Sequence, residues 1–281
     1  MAIRSLRIHE PLSAPSRLVS ILTTYQELTW ELTKRELTER YAGQMLGALW
    51  AFGHPLLLMG VYVFVFGFLY PSRLQDVDIP KSFATYILSG LIPWLAFADS
   101  MTKGTGVLAK HASLVKQVVF PIEILPVKAV LASFITELVM VACLLVYMLA
   151  ADAPWPMTLA LLPVLLVLQL GAMIGVSYVL APLGAYLRDL KDVLQVFLSA
   201  GLFLTPIFYV PTWFDGMWAP FKVVVYANPF SHLVWCYQDV LFFGRVEHVF
   251  SWIAVVALSL MSVYFGYRLF EKVKVRFGDI L

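Results

Sequence analysis

Formal charge is scarce in this chain, and its absences decide the class of protein. Asp, Glu, Lys and Arg make up 14% of the 281 residues, against about 25% in a soluble domain. No charged residue stands between Arg40 and Arg73, nor between Asp152 and Arg188. Hydrophobic residues reach 60% and mean hydropathy is +0.81, so the chain reads as an integral membrane protein. Cysteine is nearly absent. Cys143 and Cys236 exclude a disulfide framework and stand in no metal-ligand spacing. There is no G-x-x-x-x-G-K-S/T, hence no phosphate-cradling loop, and no H-E-x-x-H, C-x-x-C or G-x-S-x-G. The histidines (His9, His54, His111, His232 and His248) are dispersed and read as ordinary polar or interfacial residues. No catalytic residue and no metal site is expected. Residues 1–20 lack a continuous apolar run, so no cleaved signal peptide is apparent and insertion falls to the chain's own spans.

What is present is organised around residues 24–70. The charged half has helical spacing, with Ile21, Tyr25, Leu28 and Leu32 on one face and Glu27, Glu31, Lys34 and Arg35 on the other. Glu31/Arg35 and Glu36/Arg40 are acid-before-base pairs at i,i+4. This predicts an amphipathic helix lying in the membrane surface over 21–46, the alternative being a helix packed on other protein. The uncharged half, 49–70, is long enough to span, since about 20 residues cross the ~30 Å hydrocarbon core.

The full expectation is an all-α integral membrane protein with six transmembrane helices in a single domain. Residues 1–20 form a cytoplasmic tail. Spans fall at about 49–70, 83–102, 121–150, 157–184, 193–212 and 249–267. The fourth is bent near Pro163 and Pro182. Residues 213–247 are a periplasmic gate region. There the uncharged run 223–238 is short and broken by Asn228-Pro229, which suits two short re-entrant helices better than a span. With both termini inside, 16 of the 20 basic residues are cytoplasmic, leaving Arg73, Lys81, Lys222 and Arg245 outside. No internal repeat supports an inverted-repeat carrier.

Charges within the spans are few. Asp99 and Lys103 form an i,i+4 pair near the cytoplasmic surface, Lys128 stands inside the third span, and Glu137 sits near its middle. Glu137 has either an interior functional role or a hydrogen bond to a neighbouring helix. Aromatics crowd the gate region, including Trp213, Phe214, Trp218, Tyr226 and Phe230, with Tyr209 just before it. They read as a membrane belt or as a gate whose faces stack on sugar rings.

Several blocks in order carry a family resemblance. They are Arg35-Glu-Leu-Thr-Glu-Arg-Tyr-Ala-Gly-Gln-Met-Leu-Gly-Ala-Leu-Trp50, Leu114-Val-Lys-Gln-Val-Val-Phe-Pro-Ile-Glu-Ile-Leu-Pro126, Tyr186-Leu-Arg-Asp-Leu-Lys-Asp-Val193, Thr205-Pro-Ile-Phe-Tyr209, Asn228-Pro-Phe230 and Phe270-Glu-Lys-Val-Lys-Val-Arg-Phe-Gly-Asp-Ile-Leu281. Over nearly its whole length the chain resembles the membrane subunit of ABC-2 type polysaccharide exporters, the permeases for O-antigen, capsule and teichoic acid. One departure is visible. The family often has an Arg shortly after the Asn-Pro, whereas this chain runs to Gln238-Asp239 without one.

The resemblance implies a homodimer working with two copies of a separate ATPase subunit, which binds ATP and Mg. This chain itself would hold no cofactor, would not be an enzyme and would bind no nucleic acid. It implies that Gly104 to Lys116 is the coupling helix, with Gly104, Ala109, Lys110, His111 and Leu114 at the ATPase. Glu31 and Glu36 of the surface helix would make a second contact. Spans 1 and 5 would line the polymer path. Arg35, Arg40 and Tyr41 suit a polyprenyl pyrophosphate. The expected activity is export of a lipid-linked polysaccharide, of O-antigen type first, across the inner membrane. Two alternatives stand: an ABC-2 exporter of small drugs or lipids, and a membrane-bound glycan-modifying enzyme.

Overall fold

The computed structural model describes residues 13–39, 43–69, 83–117, 120–151, 155–187, 189–209, 219–274 and 277. Among them the secondary structure is helical throughout. Three helical stretches are long and apolar enough to cross a membrane: Ile124–Ala150, Met157–Tyr186 and Val249–Val273.

The expected surface helix is two helices, α1 (Ser13–Thr24) and α2 (Gln26–Glu39), broken at Tyr25. Helix therefore begins inside the segment read as a tail. α1 is held by Leu18, which is buried against Val107, Phe270 and Phe277, and by Arg17 on Glu271 at 3.7 Å. α2 turns a different face inward from the one its apolar spacing suggests. Thr29 and Thr33 are buried, while Tyr25 and Trp30 are exposed. The Glu31/Arg35 pair is not made. Glu31 takes Lys34 at 2.6 Å, Arg35 takes Glu39, and Glu36 reaches outside its helix. The other expected pair involves Arg40, which lies outside the described residues.

α3 (Trp50–Val63) runs into a π-helical segment, Phe64–Leu69, in the first expected span. α4 (Phe83–Lys110) is the axis of the fold. From Phe83 to Trp94 every residue is buried, and most of the next turns are too. That explains a composition with Ser89, Gly90, Ser100 and Thr105 inside: a helix sheathed by protein needs close packing more than lipophilicity. α4 also continues past the end expected for its span. Gly104 and Gly106 do not break it, and the helix stops only before His111. The expected connection is thus the last turns of α4 plus α5 (Ala112–Gln117).

α6 (Ile124–Ala150), α7 (Leu162–Tyr186, after a 3-10 turn at Met157–Leu161) and α8 (Leu190–Leu204) follow. α9 (Ala219–Ala227) and α10 (Pro229–Gln238) flank the Asn-Pro break. The break is a helix start: the Asn228 side chain accepts from Phe230 N–H at 3.0 Å, and Pro229 takes the first helical position, where no N–H is needed. A π-helical turn, Asp239–Phe243, ends on left-handed Gly244 (φ 71°), and α11 (Val249–Val273) closes the bundle. α7 and α11 touch backbone to backbone where Gly175 meets Ser262 and Gly266.

Candidate functional site

The C-terminal ends of α2 and α4 and the first turns of α6 meet in one ionic cluster. Glu36 on α2 accepts from Lys110 Nζ through Oε1 at 2.9 Å and from Lys128 Nζ through Oε2 at 2.7 Å. Lys128, on the first turns of α6, is 2% exposed. Its ammonium also donates to His111 Nε2 at 3.0 Å. His111 Nδ1 lies 2.9 Å from the Val107 carbonyl. A carbonyl only accepts, so Nδ1 carries the proton and Nε2 offers its lone pair to Lys128. Lys110 reaches Glu39 as well, at 3.7 Å.

The charges respond to this placement. Burial pushes the Glu36 carboxyl up, but the hydrogen bonds and charges of Lys128 and Lys110 outweigh it and bring its pKa to about 2. Burial pushes the His111 imidazole down, the Val107 carbonyl opposes, and Lys128 adds to the fall. The unfolded chain therefore takes up the His111 proton first, and stability falls as pH drops below 6.5. The Glu36 contribution is complete above 4.5 and is lost as pH falls toward about 2. Melting curves from neutral to acid pH are expected to decline in two stages. His111→Gln should shrink the upper stage and Glu36→Gln the lower. A wild-type profile flat through both windows would contradict the cluster.

The residues singled out as coupling positions divide. Lys110, His111 and Glu36 come together. Glu31 stays on the exposed face with Lys34, and Ala109 and Leu114 are exposed. Gly104 is buried against Ser177 of α7, where an added Cβ would overlap the hydroxyl, so it is a packing glycine. Of the substrate set, Arg35 is exposed and paired with Glu39; Arg40 and Tyr41 lie outside the described residues.

Beside the cluster, Asp99 and Lys103 make their pair at 2.5 Å, and Ser133 donates to Asp99 at 2.7 Å. These groups line a cavity of about 200 Å³ between α2, α3, α4 and α6, with Glu36, His54 and Leu58 on its walls. The cavity's acids are already matched by bases. It is a neutral polar crevice, not an anion site.

In the gate set, Trp213, Phe214 and Trp218 lie outside the described residues. Phe230 is wedged between the edges of Trp94 and Phe97, both at 5.0 Å, and so anchors α10 on α4. The Tyr209 carbonyl accepts from Tyr86 O–H at 2.9 Å, and the Tyr209 ring lies 6.0 Å from Phe221. Tyr226 is exposed and packs on Trp235 at 5.0 Å. Glu137 is buried and accepts from Tyr237 O–H of α10 at 3.1 Å, so the hydrogen-bond alternative for this residue is realised.

Two groups escaped sequence reasoning. Lys128 was visible only as a charge in a span, with nothing to mark a partner 92 positions away. Asp239 is fully buried and gathers His248 N, His248 Nδ1 and Trp252 Nε1. An acid in the following apolar turn, with His and Trp some nine and thirteen residues on, was the available signal.

Residues 27–242, from α2 to the turn after α10, match the model of the ABC-2 type transporter family. The chain belongs to that family. ABC-2 membership covers every member of the ionic cluster, whereas α1 and α11 lie beyond the match. Curated relatives run almost end to end with this ABC-2 chain. An O-antigen export system permease protein RfbA of Myxococcus xanthus is 29% identical over 94% of this chain and 98% of the relative. A protein of the same name from Klebsiella pneumoniae is 27% identical over 89% and 93%. The polysialic acid transport protein KpsM of Escherichia coli is 22% identical over 88% and 93%.

Proposed function

We propose that this chain is the permease subunit of an ATP-driven exporter that moves a lipid-linked polysaccharide, of O-antigen type, across the inner membrane. The observation that carries the reading is its end-to-end similarity to the O-antigen export permease of Myxococcus xanthus. The buried ionic cluster adds a physical reason, because it ties a cytoplasmic protrusion to the base of a membrane helix.

In this reading six spans put both termini in the cytoplasm, and two copies pair with two separate ATPase subunits that hold ATP and Mg. Arg35, Arg40 and Tyr41 engage the pyrophosphate of a polyprenyl-linked glycan at the inner surface. ATP binding on the partner presses on residues 104–117, and spans 1 and 5 shift. The polymer then advances past the aromatics of 213–243, with Trp213, Phe214, Trp218 and Tyr226 at the gate. Phe230 anchors α10 on α4 beside that gate.

Depletion of the protein in its native host tests the reading, with lipid-linked glycan located on either side of the inner membrane. Full-length polymer trapped inside is the expected result. Loss of polymer altogether would point to a biosynthetic enzyme. Normal surface polymer would point to an exporter of drugs or lipids.

A further inference from the structure

We propose that Lys128 is the positioning residue that makes α2, the end of α4 and the start of α6 move as one body when the partner presses on residues 104–117. This rests on the reading that those residues contact an ATPase subunit.

α2 packs along α6, but few of its polar groups bond outside their own helix. Its buried residues are Thr29 and Thr33, and both hydroxyls are spent on carbonyls of the turn before, Tyr25 at 2.9 Å and Thr29 at 2.7 Å. Lys34 and Arg35 pair within the helix. Among the described residues, the ion pairs that leave α2 are those of Glu36 and Glu39, and they end on Lys110 and Lys128.

The two lysines differ in kind. The Lys110 side chain is 49% exposed and that of Lys128 is 3% exposed. An exposed pair exchanges freely with water and transmits little. A buried ammonium does not. Separating it from Glu36 leaves an uncompensated charge out of water, so displacement of one partner is resisted by the other. His111 completes the joint from the turn that ends α4, because its Nε2 accepts from the same ammonium. One buried cation thus holds a carboxylate of α2 and an imidazole of the coupling turn, from a backbone position on α6. Pressure on His111 reaches α6 and α2 through this ammonium, and pressure on Lys110 reaches α2 directly through Glu36.

The test uses the full complex with its ATPase partner. Three quantities are compared: partner retained on purification, ATP hydrolysed, and surface appearance of radiolabelled host glycan. Lys128→Met is expected to keep partner retention and hydrolysis near wild type while export falls by about tenfold or more, and Glu36→Gln is expected to lower export by as much. The double variant should fall no further, since both changes break one joint. Export at the wild-type rate would overturn the inference. So would losses that multiply in the double variant, or hydrolysis and retention falling in parallel with export, the signature of a merely structural role. If Lys128→Met fails to assemble, Lys128→Gln decides in its place, because it keeps a donor in the buried site while removing the charge. A wild-type complex that retained no ATPase would instead overturn the functional reading beneath it.

Discussion

Gly266→Val is expected to remove most of the protein from the membrane, or to leave it melting on the order of 10 °C lower, taking a few degrees per kcal/mol for a chain of this size. The reason lies in the α7–α11 contact. A Cβ on Gly266 would fall on the Gly175 carbonyl oxygen, and a Cβ on Gly175 would fall on the Ser262 backbone. Overpacking that side chains can absorb costs about 1–3 kcal/mol. Here the obstacle is backbone on both sides, so the helices themselves must part. Ser259 Oγ donates to the Leu168 carbonyl at 2.6 Å two turns away, and that bond opens with them. Gly106→Ala is the matched control: nothing lies within 4 Å of its Cβ, and alanine favours a helix by about 1 kcal/mol. Thermal melting by size-exclusion in detergent separates the two. Equal melting of Gly266→Val and wild type would mean the close approach does not exist in the membrane.

This pair of glycines also shows what a sequence reading reaches. Residues 153–187 announce a membrane helix by their lack of charge, but nothing in one chain says which of their glycines face a neighbour. The Asn228-Pro229 break was legible because its chemistry is local: an amide cap and a residue with no N–H explain the start of α10 without help from elsewhere. The end of α4 was not legible. Lys103, Gly104 and Gly106 look like a loop, yet Gly104 is there because Ser177 is close, and Gly184 because Thr105 O is. Tertiary packing overrides glycine's weak helix propensity. α2 misled for the same reason. Its apolar spacing pointed one way, while the protein core took the face bearing Thr29, Thr33 and Glu36, whose partners on α4 and α6 lie 74 and 92 positions ahead. Of the residues proposed for coupling, Lys110 meets Glu36 directly, and His111 joins them through Lys128, which the one-dimensional pattern marked only as misplaced charge.

Asp239→Ala is expected to loosen the joint between α10 and α11 and to cost on the order of 3 kcal/mol, since a hydrogen bond to a charged group contributes ~1.5–3 kcal/mol and three are lost at part-buried donors. Three donors converge on this carboxylate: His248 N at 3.1 Å, His248 Nδ1 at 2.8 Å and Trp252 Nε1 at 3.1 Å. Asp239 is completely buried, while its donors on His248 and Trp252 are part-buried. The consequence spreads through His248, whose ring stacks on Trp235 with centroids 5.3 Å apart and planes 4° from parallel. Trp235 in turn carries Tyr226 of α9. One acid therefore sets the position of both short helices against the start of α11. Asp239→Asn keeps an acceptor oxygen and should lose less than half as much stability. Hydrogen exchange read peptide by peptide distinguishes this joint from a global effect. In Asp239→Ala, protection should be lost first in residues 219–252, while the Gly175–Gly266 contact stays protected. Uniform loss across the chain, or melting unchanged from wild type, would show that the position of α9 and α10 does not depend on this carboxylate.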